Sequence, residues 1–217
     1  MIHILLDLFF PPRCILCHDF LTREETDLCH RCRKTIPILK KSKNRLSFVA
    51  GWTAIWYYSD TVRDSLLRFK FAGCRCYAPA YGRRLALHLE QQFEEFDVLT
   101  CVPTGWLRRV LRGYDHTALL AEATGKELGI PASRILRKVR HTPPQSGVEG
   151  AAQRRANVLG AYGVIDPVSI QDKRILLLDD IITSGATVSE CARVLLTAGA
   201  KEVYCAAVAA ANDKYNK

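Results

Sequence analysis

Apolar positions change rhythm several times along the chain, and each change marks an element. The stretch "VAGWTAIWYYS" (49–59) is dense in aromatic and β-branched residues and predicts a strand. Asp60 reads as the N-cap of a helix over 61–71, which Gly73 closes. Leu85, Leu89 and Phe93 recur at helical spacing and predict a second helix within 79–96. "DVLTCVP" (97–103) is a short apolar run stopped by Pro103, hence a strand; 104–115 reads as a basic connection. A helix over 116–129 ends at Gly129, and "GAYGVI" (160–165) reads as a short strand. "KRILLLDD" (173–180) predicts a buried strand, 185–199 a helix ending at Gly199, and 201–210 a last strand buried on both faces.

Strands alternating with helices predict an α/β domain with an open, mostly parallel sheet and helices on both faces. Ligands of such sheets sit beyond the carboxyl ends of the strands. The 217 residues suffice for one such domain plus a small N-terminal appendage. The expected division is 1–46, ribbon and basic linker, and 47–217, the sheet domain.

Composition alters this picture little, with 48% hydrophobic and 24% charged residues. Charge alters it more. A formal +9 suits an anionic partner such as nucleic acid or a polyphosphate, or else a plain basic surface. The opening "MIHILLDLFFPPRC" is too short to span a membrane, lacks a basic start and carries Asp7, so no membrane span is expected. Nine cysteines without a secretory pattern point to a reducing compartment, the cytoplasm.

Four of those cysteines form a pattern: Cys14-x-x-Cys17, eleven residues, then Cys29-x-x-Cys32. Each pair puts two thiolates on one tight turn, and two turns close a tetrahedron suited to zinc. With all four positions filled, the site is structural. His18 and His30 flank ligands and read as surface residues. A redox pair or core thiols are the competing readings. Cys74, Cys76, Cys101, Cys191 and Cys205 lack such pairing.

The most informative stretch is "RILLLDDIITSGAT" (174–187). A strand leading through Thr183, Ser184, Gly185 and Thr187 into a helix leaves unpaired N–H groups where a phosphate fits. Asp179 and Asp180 just upstream repel a phosphate but suit the two O–H donors of a vicinal diol. Diol and phosphate together describe a ribose 5-phosphate. Neither a Walker lysine nor G-x-G-x-x-G is present.

"LLLDDIITSGAT" resembles the phosphoribosyl-pyrophosphate (PRPP) motif of type I phosphoribosyltransferases. "VPTGWLRRVLRGYDH" (102–116) is similar to the pyrophosphate-side segment of the ComF family, and "LRKVRHTPPQSGVEGAAQRRANVLGAY" (136–162) resembles that family's long mobile loop. With the four-cysteine ribbon, the resemblance covers nearly the whole chain. It implies a type I phosphoribosyltransferase-like fold, and ribose contacts from Asp179 and Asp180. It further implies a 5-phosphate cradle from Thr183, Ser184, Gly185 and Thr187, with Mg²⁺ accompanying the pyrophosphate. It also implies a role in natural competence, and beside it an amidophosphoribosyltransferase-like activity. The family commonly has Gly-Phe-Asn-Gln where this chain has Gly113-Tyr114-Asp115-His116, and an Arg-Gly-Asp-like turn where it has Ala72-Gly73-Cys74.

Arg108, Arg109 and Arg112 suit diphosphate oxygens through paired donors. On the loop, Gln145, Arg154 and Asn157 match the family pattern. The same basic surface suits single-stranded DNA, with Trp106 or Tyr114 as stacking aromatics. A helicase-like protein is the partner the family suggests. No residue stands out as a general base for an acceptor, so the catalytic residue is unassigned.

Overall fold

The computed structural model describes residues 11–39, 45–93, 95–142 and 150–211. In chain order the elements are α1 (His30–Thr35), β1 (Gly51–Tyr57), α2 (Asp60–Phe71), α3 (Tyr77–Leu89), β2 (Val98–Cys101), α4 (Trp106–Arg112), α5 (His116–Leu128), β3 (Leu136–Lys138), α6 (Ala151–Val158), β4 (Tyr162–Val164), β5 (Arg174–Ile182), α7 (Ala186–Thr197) and β6 (Glu202–Ala210). The expected parallel sheet forms in the order β1-β6-β5-β2.

β5 lies between β6 and β2, and its Ile175 to Leu178 are fully buried. Strand alternation divides that burial between two layers. Leu176 and Leu178 join α2, α3 and α5 in one cluster, while Ile175 and Leu177 join α7 in the other. α3 and α5 approach closely because Gly82 has no side chain; a Cβ there would lie 2.6 Å from the Ala123 carbonyl carbon.

Several elements differ from the sequence reading. β5 continues past the acids to Ile182, because Ile181 and Ile182 still pair with Ala209 and Ala210. Residues 104–115 are not a plain connection. They contain α4, stopped by Gly113 at φ 76°. α3 begins at Tyr77, whose ring is buried, and stops at Leu89. Ser59, not Asp60, is the N-cap of α2. β4 pairs antiparallel with β3, a strand that the three-residue stretch Leu136–Lys138 is too short to announce.

The four ribbon cysteines meet with their sulfurs within 4.8 Å of one another, as one tetrahedral ion requires, and both histidines are exposed. Burial and the neighbouring sulfurs push the Cys32 thiol up, a cost that a central divalent cation removes. The ribbon is not a free appendage. Ile15, Leu16 and Leu28 are buried in the same cluster as α2 and α3. Arg83 grips Asp27 with two hydrogen bonds (2.5 and 3.2 Å), while Ser65 and Arg68 of α2 donate to the Ile15 and Leu16 carbonyls.

Zinc removal should therefore destabilise the whole chain. Exposing Leu16 alone costs about 3 kcal/mol, which lowers the melting temperature of a chain of this size by roughly 6–12 °C. Calorimetry with and without chelator checks this; a ribbon that melts alone, leaving the main transition unmoved, contradicts it.

Candidate functional site

At the carboxyl ends of β2 and β5 lies a cavity of about 890 Å³. Its lining brings together Asp179, Asp180, Thr183, Thr187, Arg108, Arg112 and Arg154 from distant parts of the sequence. Ser184, Gly185, Arg109 and Asn157 do not line it, and Gln145 lies outside the described residues. Lining residues that the sequence reading did not single out include Lys70, His116, Lys138 and Tyr162.

The two acids differ in their surroundings. Asp180 is buried, and both Lys70 Nζ (2.6 Å) and His116 Nε2 (2.7 Å) converge on its Oδ2. Burial alone disfavours the carboxylate, but these partners outweigh it and hold the Asp180 carboxyl well below the usual range. Asp179 is half-buried, and burial together with the neighbouring Asp180 charge pushes its carboxyl well up. Asp179 Oδ1 accepts from the Asp180 N–H at 2.9 Å. Among the described residues, Asp179 Oδ2 and Asp180 Oδ1 have no hydrogen-bond or ion-pair partner. The pair thus offers two free acceptors to a diol.

The turn before α7 has the geometry of an anion seat. Gly185 is the N-cap at φ 72°, a left-handed conformation that glycine adopts without strain. Ser184 Oγ accepts from the Ala186 N–H at 3.5 Å. The linker residue Leu46 packs over Gly185, and a Cβ there would meet Leu46 Cδ2 at 2.3 Å. Leu46 joins the cluster on the α7 face, so the segment joining ribbon and sheet bears on this turn.

On the basic side, Asp115 caps α5 and orders the preceding loop: its Oδ1 accepts from the Ala118 N–H and from the Thr104 and Thr117 hydroxyls. This places His116 against Asp180. Arg112 donates to His116 Nδ1 and lies over the Phe71 ring, 4.8 Å from its centroid. Across the cavity Lys138 donates to Thr142 Oγ1 at 2.7 Å; burial, with Arg108 and Arg140 nearby, lowers its amine's pKa. Of the two aromatics expected to stack, Trp106 is 69% exposed, but Tyr114 is buried and donates to the Phe69 carbonyl. α4 buries none of its residues.

Known proteins agree with this architecture. The phosphoribosyl transferase domain model matches residues 115–217, and the double zinc ribbon domain model matches 5–43. The chain therefore combines a ribbon with a phosphoribosyltransferase fold. Competence protein F of Haemophilus influenzae is 27% identical, covering 90% of this chain and 95% of that protein. Competence protein ComFC of Streptococcus pneumoniae is 28% identical over 88% of this chain and 84% of that protein. DNA utilization protein YhgH of Salmonella typhimurium is 32% identical over 50% and 48%. Over nearly its whole length the chain is similar to these competence proteins. Among solved structures, glutamine PRPP amidotransferase from B. subtilis is 23% identical with a TM-score of 0.44, over 64% of this chain and 30% of that one.

The opposite shifts of the two acids give opposite consequences. Asp179, raised in the folded state, costs stability increasingly as pH rises from the ordinary carboxylate value of about 4. Asp179→Asn keeps the acceptor for the Asp180 N–H and removes that cost. It is expected to raise the melting temperature at pH 7 by roughly 3–6 °C, with the gain shrinking toward pH 4. Thermal melts across pH check this, and a gain that grows on acidification contradicts it.

Proposed function

We propose that this protein binds Mg²⁺-PRPP and handles single-stranded DNA in the cytoplasm during DNA uptake. One observation carries the donor reading: two carboxylates with one free oxygen each line one cavity together with Thr183 and Thr187 of the turn that starts α7. In this reading Asp179 and Asp180 take the ribose hydroxyls, and the turn from Thr183 through Ser184 and Gly185 to Thr187 seats the 5-phosphate. Arg108 and Arg154 face the pyrophosphate. Mg²⁺ is held chiefly by pyrophosphate oxygens and water, as this ion prefers. Residues 1–46 serve as zinc ribbon and linker, and 47–217 as the donor-binding domain.

The DNA reading is supported by α4. It carries Arg108, Arg109 and Arg112 with no acid, exposes Trp106, Val110 and Leu111, and borders the cavity through Arg108, Leu111 and Arg112. Arginines supply phosphate contacts, and an exposed indole supplies a stacking surface. The relatives' names, competence protein and DNA utilization protein, support the same process. A helicase-like component is the partner we propose.

A second reading is an active phosphoribosyltransferase of the amidophosphoribosyltransferase kind, with an acceptor unrelated to DNA. It is favoured by the cavity's extension to Lys138, Thr142 and Tyr162, which leaves polar groups opposite the donor residues.

Titration calorimetry separates these. Wild type should bind PRPP with Mg²⁺, and Asp179→Ala with Asp180→Ala should weaken binding by at least about tenfold, as expected for lost charge-assisted hydrogen bonds; unchanged binding ends the donor reading. Single-stranded DNA binding should fall steeply with salt, and Trp106→Ala should cost about 1–3 kcal/mol. No DNA binding at low salt, with pyrophosphate release on adding a small amine, favours the second reading.

A further inference from the structure

Arg112 was expected on the pyrophosphate, but it is engaged elsewhere. A guanidinium can only donate, so His116 Nδ1 accepts from Arg112 and the ring proton resides on Nε2. His116 Nε2 stands 2.7 Å from Asp180 Oδ2 and Lys70 Nζ 2.6 Å from it, close ion-pair contacts without the alignment of hydrogen bonds. The Phe71 ring covers the Arg112 guanidinium, and the Phe69 ring meets His116 edge-on at 6.1 Å. Three elements therefore converge on one carboxylate oxygen: α2 through Lys70, β5 through Asp180 itself, and the α4–α5 segment through Arg112 and His116.

We propose that Arg112 and His116, with Lys70, are positioning residues for Asp180 rather than ligands of the leaving group. Their close contacts hold Oδ2 by charge and proximity on one side of the carboxylate, which leaves Oδ1 as the acceptor for one ribose hydroxyl. Arg112 acts on the ribose end of the donor through His116, while Arg108 lines the cavity on the pyrophosphate side. A glutamine amide also has one acceptor and one donor end, so it can accept from Arg112 and donate to Asp180. A leucine can do neither.

This inference rests on the donor reading for its functional consequence, but its chemical core can be tested without any ligand. Nitrogen-15 NMR of the full, zinc-loaded chain reports the His116 ring directly. The expected spectrum has a bare, hydrogen-bond-accepting Nδ1 and a protonated Nε2, and Arg112→Leu shifts the Nδ1 signal. A protonated Nδ1 in wild type overturns the proposal, whether or not PRPP binds.

The functional half is read by splitting the donor into ribose 5-phosphate and inorganic pyrophosphate. Arg112→Leu should weaken ribose 5-phosphate binding about tenfold, the common cost of losing a residue that orients a ligand-binding group, and leave pyrophosphate binding unchanged. His116→Leu should match it, the double variant should lose no more than either alone, and His116→Gln should restore wild-type binding. Loss of pyrophosphate binding with ribose 5-phosphate binding intact makes Arg112 a leaving-group ligand and overturns the proposal. Wild type that binds neither fragment defeats the donor reading instead, and the ring spectrum still decides the relay.

Discussion

The site depends on one buried carboxylate. Asp180 sits on the central strand of the sheet, and burying its charge without compensation would cost several kcal/mol. Lys70 from α2 and His116 from α5 supply that compensation at a single oxygen. The requirement ties the packing of two helices to the end of β5. It also explains why the chain places a lysine and a histidine where a helix meets the core. Removing either partner leaves a carboxylate without full compensation and so disturbs both the fold and the site.

The neighbouring acid follows the opposite course. Among the described residues Asp179 accepts a hydrogen bond from the Asp180 N–H alone, and its carboxyl is pushed up by burial and by the Asp180 charge. Such an arrangement is poor for stability and useful for binding, because a ligand that brings hydroxyl donors satisfies acceptors left open in the empty protein. The turn from Thr183 to Thr187 completes the same division of labour. It brings Thr183 and Thr187 to the cavity at the start of α7, while Leu46 packs on Gly185. Since Leu46 follows the ribbon, and the ribbon shares a core with α2, the zinc site and the sheet form one packed unit around the cavity.

Much of this was legible in the sequence because its signals are local. Cys14, Cys17, Cys29 and Cys32 announce their cluster by spacing, and the strand, acids and turn of 174–187 occur in one unbroken run. Lys70 gave no such signal. On α2 it reads as an ordinary surface lysine, and only the crossing of α2 over the end of β5 brings it to Asp180. His116 reads as the first residue of a helix, and its role depends on Asp115 capping that helix in one orientation. α4 was hidden for a different reason: its apolar residues are exposed and none of its residues is buried, so no helical stripe exists to be read. Tyr114 and Trp106 look alike in sequence, and only the loop geometry buries one and exposes the other.

The most direct measurement is a crystal structure of the chain bound to Mg²⁺-PRPP. The account expects the ribose hydroxyls on Asp179 Oδ2 and Asp180 Oδ1, the 5-phosphate on the N–H groups at the start of α7, and Arg112 still donating to His116. A ribose that bypasses both carboxylates, or a 5-phosphate seated away from the turn at Gly185, would contradict it.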